Sequence, residues 1–382
     1  MIKGYRIKIF PKEKEKEMIH KHFGCSRFVY NWCIDEIDNY YKQTKKMLDS
    51  FSLQKRITTL KKQNNFLWLN EVSADTLKRT AHDCVDAYKK WFLGMKRKKS
   101  TAGRPKYKTR RSLQKCPTRT DRMTFKGRYV HLEKIGDVKL SKVKLNLDGK
   151  LMNARLSFDG IDYWLSFAIE YENIPIKVRP KTEPIGIDLG LKTLLYCSNK
   201  IKYEKPNTKM IDKKIKRLKR RTDKLYLPMV EYCMKTRTKF SSLKKSNNLI
   251  KLEKKIRKYQ IKKTNILNSN IHKITSDLIK LNPERIVIED LNVVGLLKNH
   301  KLARHIQDSK FYDIRKKLTY KCENNNIKLI IADRWYPSSK TCSQCGCIKK
   351  DLKLSDRVYK CPHCGAVIDR DLNAAINLSM IA

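Results

Sequence analysis

Residues 1 to 10 alternate, with Ile2, Tyr5, Ile7 and Ile9 set among basic positions. That is the pattern of one short strand, and Pro11 ends it. The period then lengthens. Over 12–48, Phe23, Phe28, Val29, Trp32, Ile34 and Ile37 recur at helical spacing. Residues 51–62 and 73–99 predict two more helices, the second along Ala81, Val85, Tyr88, Trp91 and Phe92. These aromatics read as core. From 122 to 180 the period returns to two in short runs, at Met123–Phe125, Tyr129–Leu132, Lys150 onward and Tyr163–Ile169. Gly127, Gly136, Gly149 and Gly160 punctuate them. This predicts a small β-barrel. The strand at 1–10 is a candidate member, which makes the helical stretch an insertion.

A second pattern starts at Pro184. Ile185 to Leu195 reads as an apolar strand interrupted by Asp188. Residues 205–263 hold 22 Lys or Arg against four acidic residues. Two long helices fit there, broken near Pro228 and around Ser246–Asn248. A helix over 264–281 carries Ile266, Leu267, Ile271, Ile274, Leu278 and Ile279 on one side. Arg285–Glu289 and Lys328–Asp333 read as buried strands, with a helix over 308–324 between them. Strands alternating with helices indicate an α/β layer fold. The whole is therefore α+β and multidomain.

Charge narrows the partner. The 382 residues carry a formal net charge of +49. A chain that basic repels itself unless a polyanion neutralises it, and nucleic acid does so through phosphate contacts and counterion release. No apolar run approaches the roughly 18 to 20 residues of a membrane span, and the first residues lack an apolar signal core. The expectation is an intracellular protein with no membrane partner. Eleven Lys or Arg fall within 89–111, around the loop-like Gly103-Arg104-Pro105-Lys106-Tyr107-Lys108. Arg104, Lys106 and Lys108 are candidate phosphate contacts, as are Arg217, Arg220 and Arg221 in the basic helices.

Two kinds of metal chemistry are written near the C-terminus. Cys342, Cys345, Cys361 and Cys364 read C-x2-C-x15-C-x2-C. Paired thiolates at that spacing close a tetrahedron around a structural Zn2+. Cys347 and His363 sit inside the knuckles as alternative ligands, though four thiolates already saturate a structural site; the other seven cysteines are scattered and read as reduced thiols. Asp188 interrupts an apolar strand, where a carboxylate is costly unless a metal, hydrogen bonds or ion pairs stabilise it; Glu289 ends a strand of β-branched residues, and Asp371 opens the last helix, Asn373 to Met380. Three such groups suit two Mg2+ ions about 3.5 to 4 Å apart. Asp290, Asp333 and Asp369 are neighbouring alternatives, Asp369 being the most serious. Arg334, with Trp335 and Tyr336 beside it, is a candidate contact for a single strand.

The segments GIDLG, VIEDLN, ADRWYPSSKTCSQCG and DRDLNAAINL resemble those of the TnpB (OrfB) family of transposon-encoded proteins, and CSRFVYNWCIDE and GRPKYK resemble its N-terminal part. The family is similar to the Fanzor proteins and to compact type V CRISPR effectors. The resemblance implies an RNA-guided DNA endonuclease with a RuvC-type, RNase H-like core. It implies the triad Asp188, Glu289 and Asp371. The Asp followed by x-Asn-Ala is the family's third acid, which selects Asp371 over Asp369. It also implies a guide RNA from the element's end and target double-stranded DNA with a short adjacent motif. The implied layout is a wedge β-barrel at 1–11 and 101–182, interrupted by a helical recognition lobe at 12–100. The nuclease domain follows at 183–335 and 368–382, with basic helices at 205–281 and a zinc ribbon inserted at 336–367. Location would be cytoplasm or nucleoid in a prokaryote, and nucleus or viral factory otherwise. Two rival functions remain: a non-catalytic zinc-ribbon DNA-binding protein, and a strand-transfer transposase.

Overall fold

The computed structural model describes residues 2–97, 103–172, 180–238, 243–353 and 356–381. The tail of the helix predicted to 99, with Lys98 and Lys99, lies outside them. So does the stretch 173–179 at the end of the predicted barrel. The chain divides into two units, Met1–Ile174 and Pro175–Ala382.

In the first unit, strand β1 (Ile2–Phe10) is followed by three helices, α1 (Glu13–Thr44), α2 (Ser50–Leu60) and α3 (Ala74–Arg97). The start of α1 is set locally. The Glu15 carboxylate accepts from the Lys12 backbone N–H at 2.7 Å, one half of a capping box. The helices share their own core, including Cys33, Ile37, Leu53, Leu69, Val85 and Tyr88. A short 3-10 segment, Asn64–Glu71, joins α2 to α3 and carries no apolar period to announce it. Six strands complete the unit: β2 (Gln114–Pro117), β3 (Thr124–Lys126), β4 (Tyr129–Leu132), β5 (Gly136–Leu140), β6 (Lys150–Phe158) and β7 (Tyr163–Glu170). The pattern missed β2, which offers only Cys116 before Pro117, and β5, which opens on Gly136.

These strands form one sheet in the order β2-β6-β7-β1-β5-β4-β3, so β1 is central. The expected barrel needs qualification. The ladder runs from β2 to β3 without closing, among the described residues. The sheet still curls on itself. Phe125 of β3 packs on Phe167 of β7, ring centroids 5.4 Å apart, although three strands separate β3 from β7 in the ladder.

The second unit is layered around five strands: β8 (Ile185–Leu189), β9 (Leu195–Cys197), β10 (Lys202–Tyr203), β11 (Arg285–Glu289) and β12 (Lys328–Ala332). Their order is β10-β9-β8-β11-β12. The first three form an antiparallel meander, while β8, β11 and β12 run parallel. The predicted strand over 185–195 is thus two strands of a hairpin, because the chain turns between Gly190 and Leu194.

The helices are α4 (Lys209–Thr236), α5 (Asn247–Lys280), α6 (Val293–Leu297), α7 (Ala303–Ser309), α8 (Phe311–Asn324) and α9 (Arg370–Ser379), with strands β13 (Val358–Lys360) and β14 (Val367–Asp369) before α9. Three expectations are corrected. Helix α4 continues through Pro228. A proline removes one helical hydrogen bond, but here Tyr226 donates to Glu253 of α5 and Lys245 pairs with the same carboxylate at 2.6 Å, holding the segment in place. The helix predicted over 264–281 is the second half of the 34-residue α5, since no Pro or Gly interrupts Asn247–Lys280. The helix expected over 308–324 divides at Lys310, where φ is 55°. No helix among the described residues is long and apolar enough to cross a membrane.

The two faces of the parallel strands have different tenants. Ile185, Ile187, Ile286 and Ile288 pack with Ile271, Ile274 and Leu278 of α5 and Ile314 and Leu318 of α8. On the other face Val287 and Ala332 meet Leu378 of α9. Side chains alternate across a strand, so Asp188 and Glu289 share the α9 face with Gly186 and Val287.

Candidate functional site

The register places the acids. Val287 lies opposite Gly186 and Ile288 opposite Ile187, so Glu289 follows beside Asp188 at the carboxyl ends of two parallel strands. Helix α9 supplies the third group. Its close approach to β8 depends on Gly186: a Cβ there would stand 2.0 Å from the Ala375 carbonyl oxygen and 2.4 Å from the Ser379 nitrogen. Asp371 lies in the first turn of α9, one turn before Ala375.

The three carboxyls feel one another. Burial pushes Asp188 well above the usual carboxylate range, and Glu289, to which it is hydrogen-bonded, and Asp371 push it the same way while Arg370 opposes. Burial also raises Glu289; hydrogen bonds from Asp188 and Ser338 pull back, and Asp371 adds to the rise. This is the behaviour of like charges crowded in a poorly solvated place. Asp371 is gripped by Arg370 at 3.1 Å and approached by Arg357 at 3.8 Å. The Ser338 hydroxyl donates to Glu289 at 3.3 Å.

The alternative acids have other work. The Asp369 side chain accepts from the Asp371 and Leu372 backbone N–H groups at 3.0 and 3.1 Å, so it is the N-cap of α9. The helix therefore begins at Arg370, earlier than the expected Asn373. Asp290 is held low by Arg334 first and also by Arg315, at 2.6 and 2.7 Å. Asp333 accepts from the Trp335 N–H at 2.8 Å and shapes a turn.

The four cysteines come together. Cys342 and Cys364 sulfurs stand 3.7 Å apart and those of Cys345 and Cys361 3.5 Å. All four ligand atoms lie within 4.8 Å of one another, the only group of three or more metal-ligating side chains drawn that close among the described residues. Cys347 and His363 stay outside the group. Gly346 and Gly365, at φ of 74° and 73°, supply the left-handed turn of each knuckle. The Cys364 backbone N–H donates to Cys361 and holds that thiol down at about 6. By the same measure the three carboxyls are in electrostatic contact but less tightly gathered. Their oxygens, with the Ser338 hydroxyl, are a hard-donor set that fits a divalent cation.

Helix α9 also fastens the cysteine element. The buried Asn373 donates to the Thr341 carbonyl at 2.6 Å and accepts from the Ser343 N–H at 2.9 Å. One turn later Asn377 donates to the Ser338 and Thr341 carbonyls at 2.7 and 2.6 Å. Sequence reasoning missed Ser338, Arg357, Gly186 and this asparagine pair. The pair had a signal, since two asparagines at i and i+4 in an apolar helix demand buried partners.

The predicted basic contacts divide. Arg217, Arg220 and Arg221 are exposed on α4, with no ion pair among the described residues. Arg220 borders a cavity of about 830 Å3 lined also by Lys213, Lys216, Lys219, Lys263 and Arg304. Arg104 pairs with Asp38 at 2.6 Å but stays half-exposed, and Lys106 is exposed. Lys108 is tucked 3.1 Å from the centre of the Tyr30 ring, and burial pushes its pKa down to about 8. It is part of the packing of the helical region. Arg334 is bound to Asp290 and so serves as an anchor of its loop.

The fold and site define a class: a basic, multidomain α+β protein with acids gathered at the ends of parallel strands and a four-thiol element beside them. Residues 311–378 match the family described as Cas12f1-like, TNB domain. Residues 1–46 match one described as a helix-turn-helix domain, a stretch that folds here as β1 and the single helix α1. A protein of Streptomyces pristinaespiralis with the provisional name RNA-guided DNA endonuclease is 28% identical over 98% of this chain and 88% of its own. TnpB-like protein L770 of Acanthamoeba polyphaga mimivirus is 24% identical over 99% of this chain and 72% of its own. Among solved structures, the Cas12f1–sgRNA–target DNA complex is similar at 15% identity and a TM-score of 0.33, over 100% of this chain and 99% of that one. The chain is a relative of the TnpB (OrfB) proteins, matched along nearly its whole length.

Proposed function

We propose that this chain is an RNA-guided, Mg2+-dependent DNA endonuclease of the TnpB type. Its reacting centre is Asp188, Glu289 and Asp371 on an RNase H-like, RuvC-type core. The observation that carries the reading is the convergence of three acids from β8, β11 and α9 on one face of a sheet, in a chain of net charge +49 whose relatives bear that name. We assign 1–11 and 101–182 to a wedge, 12–100 to a recognition lobe, 183–335 and 368–382 to the nuclease domain, and 336–367 to a zinc ribbon.

Bound Mg2+, in one or two ions, would supply an activated water and stabilise the leaving 3′ oxygen. The chain's own groups do the rest. Asp188 and Glu289 present oxygen ligands from rigid strands. The Ser338 hydroxyl orients Glu289, and Arg370 fixes the Asp371 carboxylate. Exposed cations on α4 hold phosphates of the guide RNA or target. Base pairing to the guide reads the target sequence, while the protein reads duplex shape and a short adjacent motif.

The test is cleavage of a guide-matched DNA duplex in Mg2+, with and without RNA from the element's flanking region. Cutting that requires the RNA supports the reading. Cutting without RNA, or joined donor and target ends, replaces it with an unguided nuclease or a transposase. Binding without cutting, at any adjacent motif, replaces it with a DNA-binding regulator.

Two predictions belong here. Converting Arg217, Arg220 and Arg221 together to Gln should lower the slope of log affinity for RNA against log salt by about 2, at about 0.7 per phosphate contact. An unchanged slope removes α4 from the interface. Cys342→Ser should lose bound zinc by elemental analysis and unfold the element around it, because metal binding there is folding free energy. Cleavage should be lost with it, through the Asn373 and Asn377 bonds that seat Ser338 and Thr341. Normal activity in that variant would refute the coupling.

A further inference from the structure

Six residues, Asp333–Ser338, carry the chain from β12 to the cysteine element, and five of them are tied down. Asp333 accepts from the Trp335 N–H at 2.8 Å. Arg334 donates to the Asp290 carboxylate at 2.6 Å and to its carbonyl at 3.3 Å. Asp290 directly follows Glu289 and is held from its other side by Arg315 at 2.7 Å. The Tyr336 hydroxyl donates to the Asn377 carbonyl at 3.3 Å. The Pro337 carbonyl accepts from the Thr341 hydroxyl at 2.9 Å. Ser338 donates to Glu289 itself at 3.3 Å.

The side chain of Trp335 is the exception. It is 85% exposed, more than any other large apolar residue described. An indole left in water forfeits the stabilisation its burial would bring, and this one adds nothing to the core. Yet its backbone is fixed on both sides by bonds that end at Glu289 and Asp290. A large, flat side chain presented by a rigid loop can bind without a further ordering cost.

We propose that Trp335 is a base-stacking subsite for an unpaired nucleobase of the DNA strand entering the carboxylate site. The inference rests on the nuclease reading above. Three observations choose a nucleobase over a protein partner. The loop is hydrogen-bonded to the candidate reacting carboxylate. Its only free large surface is aromatic, and base–aromatic stacking tolerates any sequence. The surrounding chain is strongly basic, so a polyanion is the ligand it attracts. Arg334, the residue before Trp335, is ion-paired with Asp290 and half-exposed, so the same loop also carries a guanidinium.

The experiment uses the full chain in an Asp188→Asn background, so that binding is read without cutting. The chain has five tryptophans, and the difference between that protein and its Trp335→Phe derivative isolates the emission of Trp335. Short single-stranded DNA should quench that difference signal, and an abasic strand of equal length should not. Trp335→Ala should weaken binding of the base-bearing strand about 10-fold. It should leave binding of the abasic strand and the melting temperature unchanged, and Trp335→Phe should retain most of the affinity. Equal quenching by both strands, no quenching, or unchanged affinity in Trp335→Ala overturns the proposal. The quench needs no cleavage and no guide RNA. A chain that fails to cut in the functional test but shows it keeps the stacking site and loses the nuclease reading, and the reverse pattern does the opposite.

Discussion

Asp188→Ala is expected to abolish cleavage while leaving RNA and duplex binding in place. Asp188 sits inside the cluster, hydrogen-bonded to Glu289 and repelled by Asp371. A carboxylate that holds charge in the transition state is worth several kcal/mol, and each 1.36 kcal/mol is tenfold in rate. The loss should therefore be about 10^3-fold or more. The basic face of α4 is untouched by the change, so gel-shift affinity for the RNA should stay within about twofold of wild type. Cleavage retained at a tenth of the wild-type rate would remove Asp188 from the reaction.

The same residue should leave a mark on stability, with a sign opposite to that of most carboxylates. Asp188 and Glu289 are raised above their ordinary range in the folded chain, chiefly by burial. Above the usual carboxylate pKa of about 4, the folded state then holds more protons than the unfolded state. Their contribution is fully present below that pH and is lost as pH rises through the raised folded values. Without added Mg2+, the melting temperature of wild type minus that of Asp188→Asn should fall as pH rises from acid to neutral. Taking the difference cancels the general repulsion of a strongly basic chain. Added Mg2+ should flatten the trend by binding the ionised carboxyls of the wild type. A difference that stays level with pH would contradict the crowding of these groups.

Legibility followed the length and periodicity of each feature. Helices α1 and α3 show many apolar repeats, and β11 is a run of β-branched residues, so the pattern located them. Strand β5 opens on Gly136, which reads as punctuation, and β2 offers only Cys116 before Pro117. Pro228 read as a break because local chemistry says so, while packing of α4 on α5 carried the helix through it. The cysteine set was legible because its ligands come from two short turns whose spacing is itself the geometry. Asp188 and Glu289 were legible as misfits, polar residues in apolar strands, and Asp371 as an acid opening the last helix. Asp369 caps the helix and Asp371 lies in its first turn, a division of roles that local spacing did not show. Ser338 was invisible because its partner lies 49 positions away.

Gly186 was equally silent, and its substitution should have the second large effect. In sequence it is one of two glycines flanking an aspartate, within a stretch that reads as an apolar strand, and nothing there marks a close approach. In the fold it lies mid-strand, where a Cβ would sit 2.0 Å from the Ala375 carbonyl oxygen and 2.4 Å from the Ser379 nitrogen. Those are backbone atoms of α9, which cannot rotate aside as a side chain would. Gly186→Ala must therefore lift the helix from β8. Overpacking costs about 1 to 3 kcal/mol when side chains can adjust, and here they cannot, so the upper end or more is expected for the second unit. The lift acts on function as well. Asp371 is carried by the first turn of α9, and Asn373 and Asn377 tie the same helix to the cysteine element. Cleavage should drop about 100-fold or more even at temperatures where the variant stays folded, because a displacement of about 1 Å in a reacting group has that cost. Gly127→Ala is the control. It lies in the first unit at φ 57° with no atom near its Cβ position. It should cost about 1 kcal/mol through backbone strain alone and leave cleavage unchanged. Equal behaviour of the two variants would mean that the close approach of α9 to β8 does not set the carboxylate geometry.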